Sequence, residues 1–332
     1  MGATVIGAGS WGTALAIQLT RAGHAVTLWS RAAEHAREMH DTRENSRYLP
    51  GCSLPPALAP TADLEAAVHA ATEVLVCAVP SHAVRGIMAT VRPWLSSETI
   101  IVSATKGIEE GSSKRMSEVI GEATGTPDRV TVISGPSFAR EVAEEMPTVV
   151  TAAASDGAHA EFIQHYFASP MFRVYAADDL VGVEIGGAVK NVIAIAAGVS
   201  DGLGLGHNTR AALITRGLAE VNRLAIHLGA RPVTVTGLSG MGDLVLTCTG
   251  SLSRNRSVGM RLGKGEKLSE ILGGMRQVAE GVRNTITIDD MARELGVDMP
   301  ITRQMRALLF EDRAPQEAMI QLMTRQLKPE FT

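Results

Sequence analysis

The chain is poor in cysteine: Cys52, Cys77 and Cys248 are its only three, spread far apart in 332 residues. No CxxC pair and no Cys/His cluster with zinc spacing occurs, which excludes a disulfide framework and a structural zinc site and makes a reducing cytoplasm the expected setting. Excess charge is also missing. Lys and Arg total 31 against 35 Asp and Glu, a net charge of -4, which gives no general attraction for nucleic acid or an anionic membrane surface. The short basic run Arg254-Asn255-Arg256 lacks the interleaved aromatics of a nucleic-acid site. No basic leader precedes the first apolar stretch, so no targeting signal is expected, and no internal repeat or low-complexity tract occurs.

One long hydrophobic run is present. Residues 180 to 199 read LVGVEIGGAVKNVIAIAAGV, long enough to span a bilayer but interrupted by Glu184, Lys190 and Asn191. Each central charge would cost about 2.5 to 3.5 kcal/mol to insert, and no Trp/Tyr belt flanks the run. A helix buried in a soluble protein is expected, with no integral membrane segment.

The first thirty residues read as strand, helix, strand. ATVIG leads into a turn where Gly7, Gly9 and Gly12 form GxGxxG, then a helix closed by Gly23 and a second strand, HAVTLWSR. Small residues at such a turn let the backbone approach a pyrophosphate, and the helix start supplies N–H groups to it. This context points to dinucleotide binding. An NAD-specific site usually has an acidic residue at the end of the second strand, whereas here Arg31 stands there and favours a 2'-phosphate; a solvated surface arginine is the alternative.

Strand-like runs then recur at 73–79, 99–105, 129–135, 147–153 and 172–177, with helical segments between them. Such alternation predicts an α/β fold: an N-terminal Rossmann-like, doubly wound, mainly parallel sheet with ligands beyond the carboxyl ends of its strands. The stretch from 40 to 60 is the longest irregular segment, either a mobile cover or a surface loop. After Asp179 helical periodicity takes over, at 180–199, 208–228, 282–295, 301–311 and 315–326. Two domains follow: residues 1–178 for the dinucleotide and a mostly α-helical C-terminal domain, residues 179–332, for the substrate.

Lys190 is the first candidate for chemistry. Helical spacing sets Gly186 and Gly187 beside it, leaving space around the amine. Burial would lower its pKa and suit it to proton transfer, although a lysine that pairs with an acid or snorkels to solvent fits the helix equally well. A second cluster lies at GDLVLTCTGSLSRNR, with Asp243, Thr247 and then Ser253, Arg254, Asn255 and Arg256. Ser253 as a helix N-cap with Arg254 beside it would suit a phosphate; an ordinary capped helix with solvated arginines is the plainer reading.

Together VIGAGSWGTALA, RYLPG, ATKGIE, GPSFAREV, the KNVIAIAAG helix, GDLVLTCTGSLSRNR and VAEGV closely resemble the bacterial NAD(P)-dependent glycerol-3-phosphate dehydrogenases, in order along nearly the whole chain. The resemblance implies reversible reduction of a phosphorylated triose, dihydroxyacetone phosphate, by NADPH or NADH, giving sn-glycerol 3-phosphate for glycerophospholipid synthesis. It implies Lys190 as general acid and base, and Lys106 in contact with both cofactor and substrate. Gly135, Ser137 and Asp243 would line the substrate, with Ser253, Arg254 and Asn255 at its hydroxyl-bearing and phosphate end and Asn191 and Thr247 as further contacts. Ser10, Trp11, Arg31, Ala139, Arg254, Val278 and Glu280 match positions near the cofactor. No metal is required. A homodimer is expected from the family and from the amount of apolar helix. The competing readings are a 3-hydroxy acid dehydrogenase of similar two-domain fold and an NAD(P)H-sensing protein without turnover; the sensor would have no reason to keep Lys190, Asp243 and the anion site together.

Overall fold

The computed structural model describes residues 2–275 and 279–330. Eight strands form one sheet: β1 (Gly2–Ile6), β2 (Ala25–Trp29), β3 (Leu58–Thr61), β4 (Val74–Cys77), β5 (Ile100–Ser103), β6 (Val130–Ser134), β7 (Thr148–Ala154) and β8 (Phe172–Ala177). Their order is β3-β2-β1-β4-β5-β6-β7-β8, with the order reversing beside β1. All pairs are parallel except β6 with β7. Central strands such as β4 (VLVC) and β5 (IIVS) are buried along their whole length, because helices cover both faces of a parallel sheet.

The stretch 40–60 departs from expectation. Leu49, Cys52 and Leu54 are buried with the core around the Ser10–Arg21 helix, and its end forms β3, paired in parallel with β2. Most of the stretch lies at the surface, but it is anchored through these buried side chains and is not a surface loop alone. Apolar residues spaced without strand or helix periodicity still fill the space beside β2, which a pattern-based reading misses.

Beyond β8 the chain is helical. Asp179 starts the helix Leu180–Gly202 by accepting from the Gly182 N–H at 2.8 Å. By length and composition this helix could cross a membrane, but 89% of its most apolar window is buried inside the protein. Its partners are the helices Gly206–His227, Asp243–Thr249, Arg254–Gly263 and Glu280–Glu294. Glycines let one of them come to backbone contact: a side-chain carbon on Gly198 would lie 2.1 Å from Arg256 O, and one on Gly259 2.0 Å from Ile195 O. The lysine helix and the Arg254–Gly263 helix are thereby locked in register.

Candidate active site

The glycine turn divides its labour in the way its spacing predicts. Gly7 has φ +115°, a conformation L side chains rarely adopt, and its N–H bonds to Trp29 O at 3.1 Å. A side-chain carbon on Gly12 would lie 1.9 Å from Gly7 O, so only glycine lets the helix pack on the strand end. Gly9 has nothing within 4 Å of such a carbon, and it begins the Ser10–Arg21 helix with no side-chain cap. The helix start is therefore open to an anion. Trp11 adds a buried indole N–H with no acceptor among the described residues. This cradle fits a dinucleotide. Arg31 is exposed just past β2; burial, with the charges of Arg283 and Arg31, lowers the pKa of His82, which marks this edge as positive. Ala139 starts the Ala139–Ala143 helix, packed against the Ser10–Arg21 helix. Val278 lies outside the described residues.

Across the crevice, two lysines converge on one carboxylate. Lys190 Nζ donates to Asp243 Oδ1 at 2.5 Å and to Thr247 Oγ1 at 2.8 Å. Lys106, from the loop after β5, donates to Asp243 Oδ2 at 2.6 Å and to Gly135 O at 3.2 Å. Side-chain exposure is 8% for Lys190, 2% for Asp243 and 17% for Lys106, so only Lys106 faces open space to any extent. Burial lowers the pKa of Lys190 to about 8; Asp243 pulls upward and Lys106 pushes further down. For Asp243, burial works to raise the carboxyl, but the two ammoniums outweigh it and hold it below its usual value.

The backbone explains the convergence. Gly135, with φ +150°, sits past β6 where a side-chain carbon would strike Val150 Cα at 2.9 Å. Its carbonyl receives both Lys106 and the Ser137 hydroxyl, the latter at 2.9 Å. The π-turn Leu238–Gly242 then delivers Asp243 to the start of its helix. The glycines beside Lys190 do not leave empty space: a carbon on Gly186 would lie 2.9 Å from Ser239 O, and one on Gly187 2.7 Å from Ser134 Oγ. They let the π-turn and the end of β6 close on the lysine helix. Ser134, whose buried hydroxyl has no partner among the described residues, was not signalled by the sequence beyond its place just before the GPSF turn.

The second cluster splits into two roles. Ser253 caps the Arg254–Gly263 helix by accepting from the Arg256 N–H at 3.2 Å. Arg256 turns inward, donating from Nε to Asp201 Oδ2 at 2.7 Å, while Arg210 Nε bonds Asp201 Oδ1 at 2.8 Å. Arg254 is the exposed arginine of the pair. Crowding by protein raises the carboxyl of Glu280 to about 7, with Arg254 and the Ser81 N–H pulling it back. Arg254 and Glu280 thus share one field at the crevice. Asn191 and Asn255 meet each other: Asn255 Nδ2 donates to Asn191 Oδ1 at 2.9 Å, and Asn255 Oδ1 accepts from Gly281 N at 3.0 Å. They tie the lysine helix, the Arg254 helix and the Glu280 helix together.

Comparison with known proteins identifies the family. The family models for the N-terminus and C-terminus of NAD-dependent glycerol-3-phosphate dehydrogenase match residues 2–160 and 179–320. The glycerol-3-phosphate dehydrogenase (NAD(P)+) of Citrifermentans bemidjiense is 57% identical over 329 residues, 98% of each chain. That of Geobacter sulfurreducens is 55% identical over 330 residues, again 98% of each. The crystal structure of glycerol-3-phosphate dehydrogenase from Coxiella burnetii superposes with a TM-score of 0.93 at 42% identity, covering 97% of this chain and 98% of that one. The chain belongs to the NAD-dependent glycerol-3-phosphate dehydrogenase family.

Proposed function

We propose that this chain catalyses the reversible NAD(P)H-dependent reduction of dihydroxyacetone phosphate to sn-glycerol 3-phosphate, with Lys190 as the group that moves the proton. The Lys190–Asp243–Lys106 cluster, with Lys190 and Asp243 buried, carries this reading. Reduction of the ketone builds negative charge on its oxygen. A nearby ammonium stabilises that charge and then protonates it, and a pKa of about 8 lets Lys190 give the proton and take it back near neutral pH. Asp243 and Thr247 orient the amine.

When bound, the reduced nicotinamide supplies the hydride. Gly7, Gly9, Ser10, Trp11 and Gly12 would hold the dinucleotide, Arg31 would meet a ribose 2'-phosphate, and Ala139, Arg254 and Glu280 would border it. Lys106 would touch both cofactor and substrate, and Gly135 and Ser137 would line the substrate. Arg254, at the start of the helix capped by Ser253, would meet its phosphate with Asn255 and Asn191 behind. Binding energy from the phosphate, remote from the reacting carbon, would position the carbonyl.

In this reading residues 1–178 bind the dinucleotide and residues 179–332 supply the lysine and the anion site. A cytoplasmic homodimer serving glycerophospholipid synthesis is part of the same proposal, supported by the family resemblance. The test mixes purified protein with dihydroxyacetone phosphate and either NADPH or NADH and follows absorbance of the reduced nicotinamide. The absorbance should fall; no turnover with either cofactor, under conditions where cofactor binds, would defeat the proposal.

A further inference from the structure

We infer that Asn45 is a positioning residue for the cofactor, its buried amide bracing the glycine turn against the ribose end of β2. The inference rests on the reading that the dinucleotide lies on the Gly7–Gly12 turn. Asn45 comes from the irregular stretch after β2 and is 0% exposed. Its Nδ2 donates to Ala8 O at 3.0 Å and to Thr13 Oγ1 at 2.8 Å. Its Oδ1 accepts from Tyr48 N at 3.2 Å and lies 2.9 Å from His35 Nε2.

These contacts fix the orientation of the Asn45 amide. Reversing the amide would set its NH2 against the Tyr48 N–H, so Oδ1 must face His35, and Nε2 is the ring nitrogen that donates. His35 Nδ1 lies 3.0 Å from the Ser30 hydroxyl and continues the chain of bonds. Thr13, Ser30 and His35 are 0%, 5% and 4% exposed, so each bond stands in a place where water does not replace it. One end of the chain is Ala8, between the two glycines that give the turn its freedom. The other end is Ser30, the residue before Arg31.

A turn of Gly7-Ala8-Gly9 has no side chain able to hold its own shape. Asn45 supplies the hold through the Ala8 carbonyl, and Thr13 extends it into the first turn of the helix. A turn already ordered loses less entropy when a pyrophosphate binds, so the brace acts on cofactor affinity. The lysine cluster is built from other segments, and the chemical step should be unaffected once cofactor saturates the protein.

The experiment uses Asn45→Ala and Thr13→Val in the full-length chain, measuring Kd for NADPH and NADH by nicotinamide fluorescence, kcat at saturating cofactor, and Tm. In Asn45→Ala both Kd values should rise together by about tenfold, with kcat changed by less than about twofold. Thr13→Val, which removes one acceptor and keeps the shape, should raise both Kd values by a smaller factor. A folded Asn45→Ala with normal Kd, or with reduced kcat and normal Kd, would overturn the inference. If Asn45→Ala does not fold, Thr13→Val decides: a normal Kd there overturns it equally. Gly9→Val separates this from the underlying reading, because it should abolish cofactor binding; retained binding would show that the dinucleotide lies elsewhere.

Discussion

Lys190 Nζ stands 2.5 Å from Asp243 Oδ1, and neither side chain is more than 8% exposed. The carboxylate keeps two ammoniums, the buried Lys190 and the partly exposed Lys106, from facing each other unpaired. Asp243→Asn should lower kcat/KM for dihydroxyacetone phosphate by about a hundredfold or more, since it disturbs both the aim and the charge of the proton donor. Steady-state kinetics would check this, and a near-normal kcat/KM would mean that Lys190 needs no acidic partner.

The pH profile follows from the same pair. Burial depresses the Lys190 amine to about 8 from an ordinary 10.5. Ketone reduction needs the amine charged, so its kcat/KM should hold below pH 8 and decline above it; alcohol oxidation needs the free amine and should rise through the same window. Asp243 works to raise this pKa, so Asp243→Asn should move both limbs to lower pH. Rate profiles in both directions test the assignment, and limbs that do not mirror each other would contradict it.

Arg254 and Arg256 are two positions apart and differ in role. Arg256 is anchored on Asp201, whereas Arg254 is exposed at the start of its helix. Arg254→Ala should raise KM for dihydroxyacetone phosphate by about tenfold or more, with a smaller change in kcat. An unchanged KM would place the phosphate elsewhere.

Arg31 should read the ribose. Arg31→Asp should shift the ratio of kcat/KM for NADPH over NADH toward NADH, because the carboxylate repels a 2'-phosphate and accepts a 2'-hydroxyl. Measuring that ratio is sufficient, and an unaltered value would show that Arg31 does not meet the ribose.

Much of this arrangement was legible in the sequence where the signal is local. Gly7, Gly9 and Gly12 announce the turn because a strand end, a close helix and an open N-terminus each need the same small residue within six positions. The buried lysine helix shows in its long apolar run, which only Glu184, Lys190 and Asn191 interrupt. What could not be read depends on distant segments meeting. Periodicity cannot tell that the space beside Gly187 is taken by Ser134, that Asn255 bonds Asn191 across 64 positions, or that β7 runs antiparallel to β6. Nor does it show β3 and the buried Leu49, Cys52 and Leu54, whose apolar side chains follow no regular repeat.

The most direct test is Lys190→Met, which keeps the length and apolar stem of the side chain and removes the amine. With saturating dihydroxyacetone phosphate and NADPH, turnover should fall by at least about a thousandfold while cofactor affinity, measured by nicotinamide fluorescence, stays near the parent value. A variant that binds cofactor and retains near-normal kcat would show that another group supplies the proton.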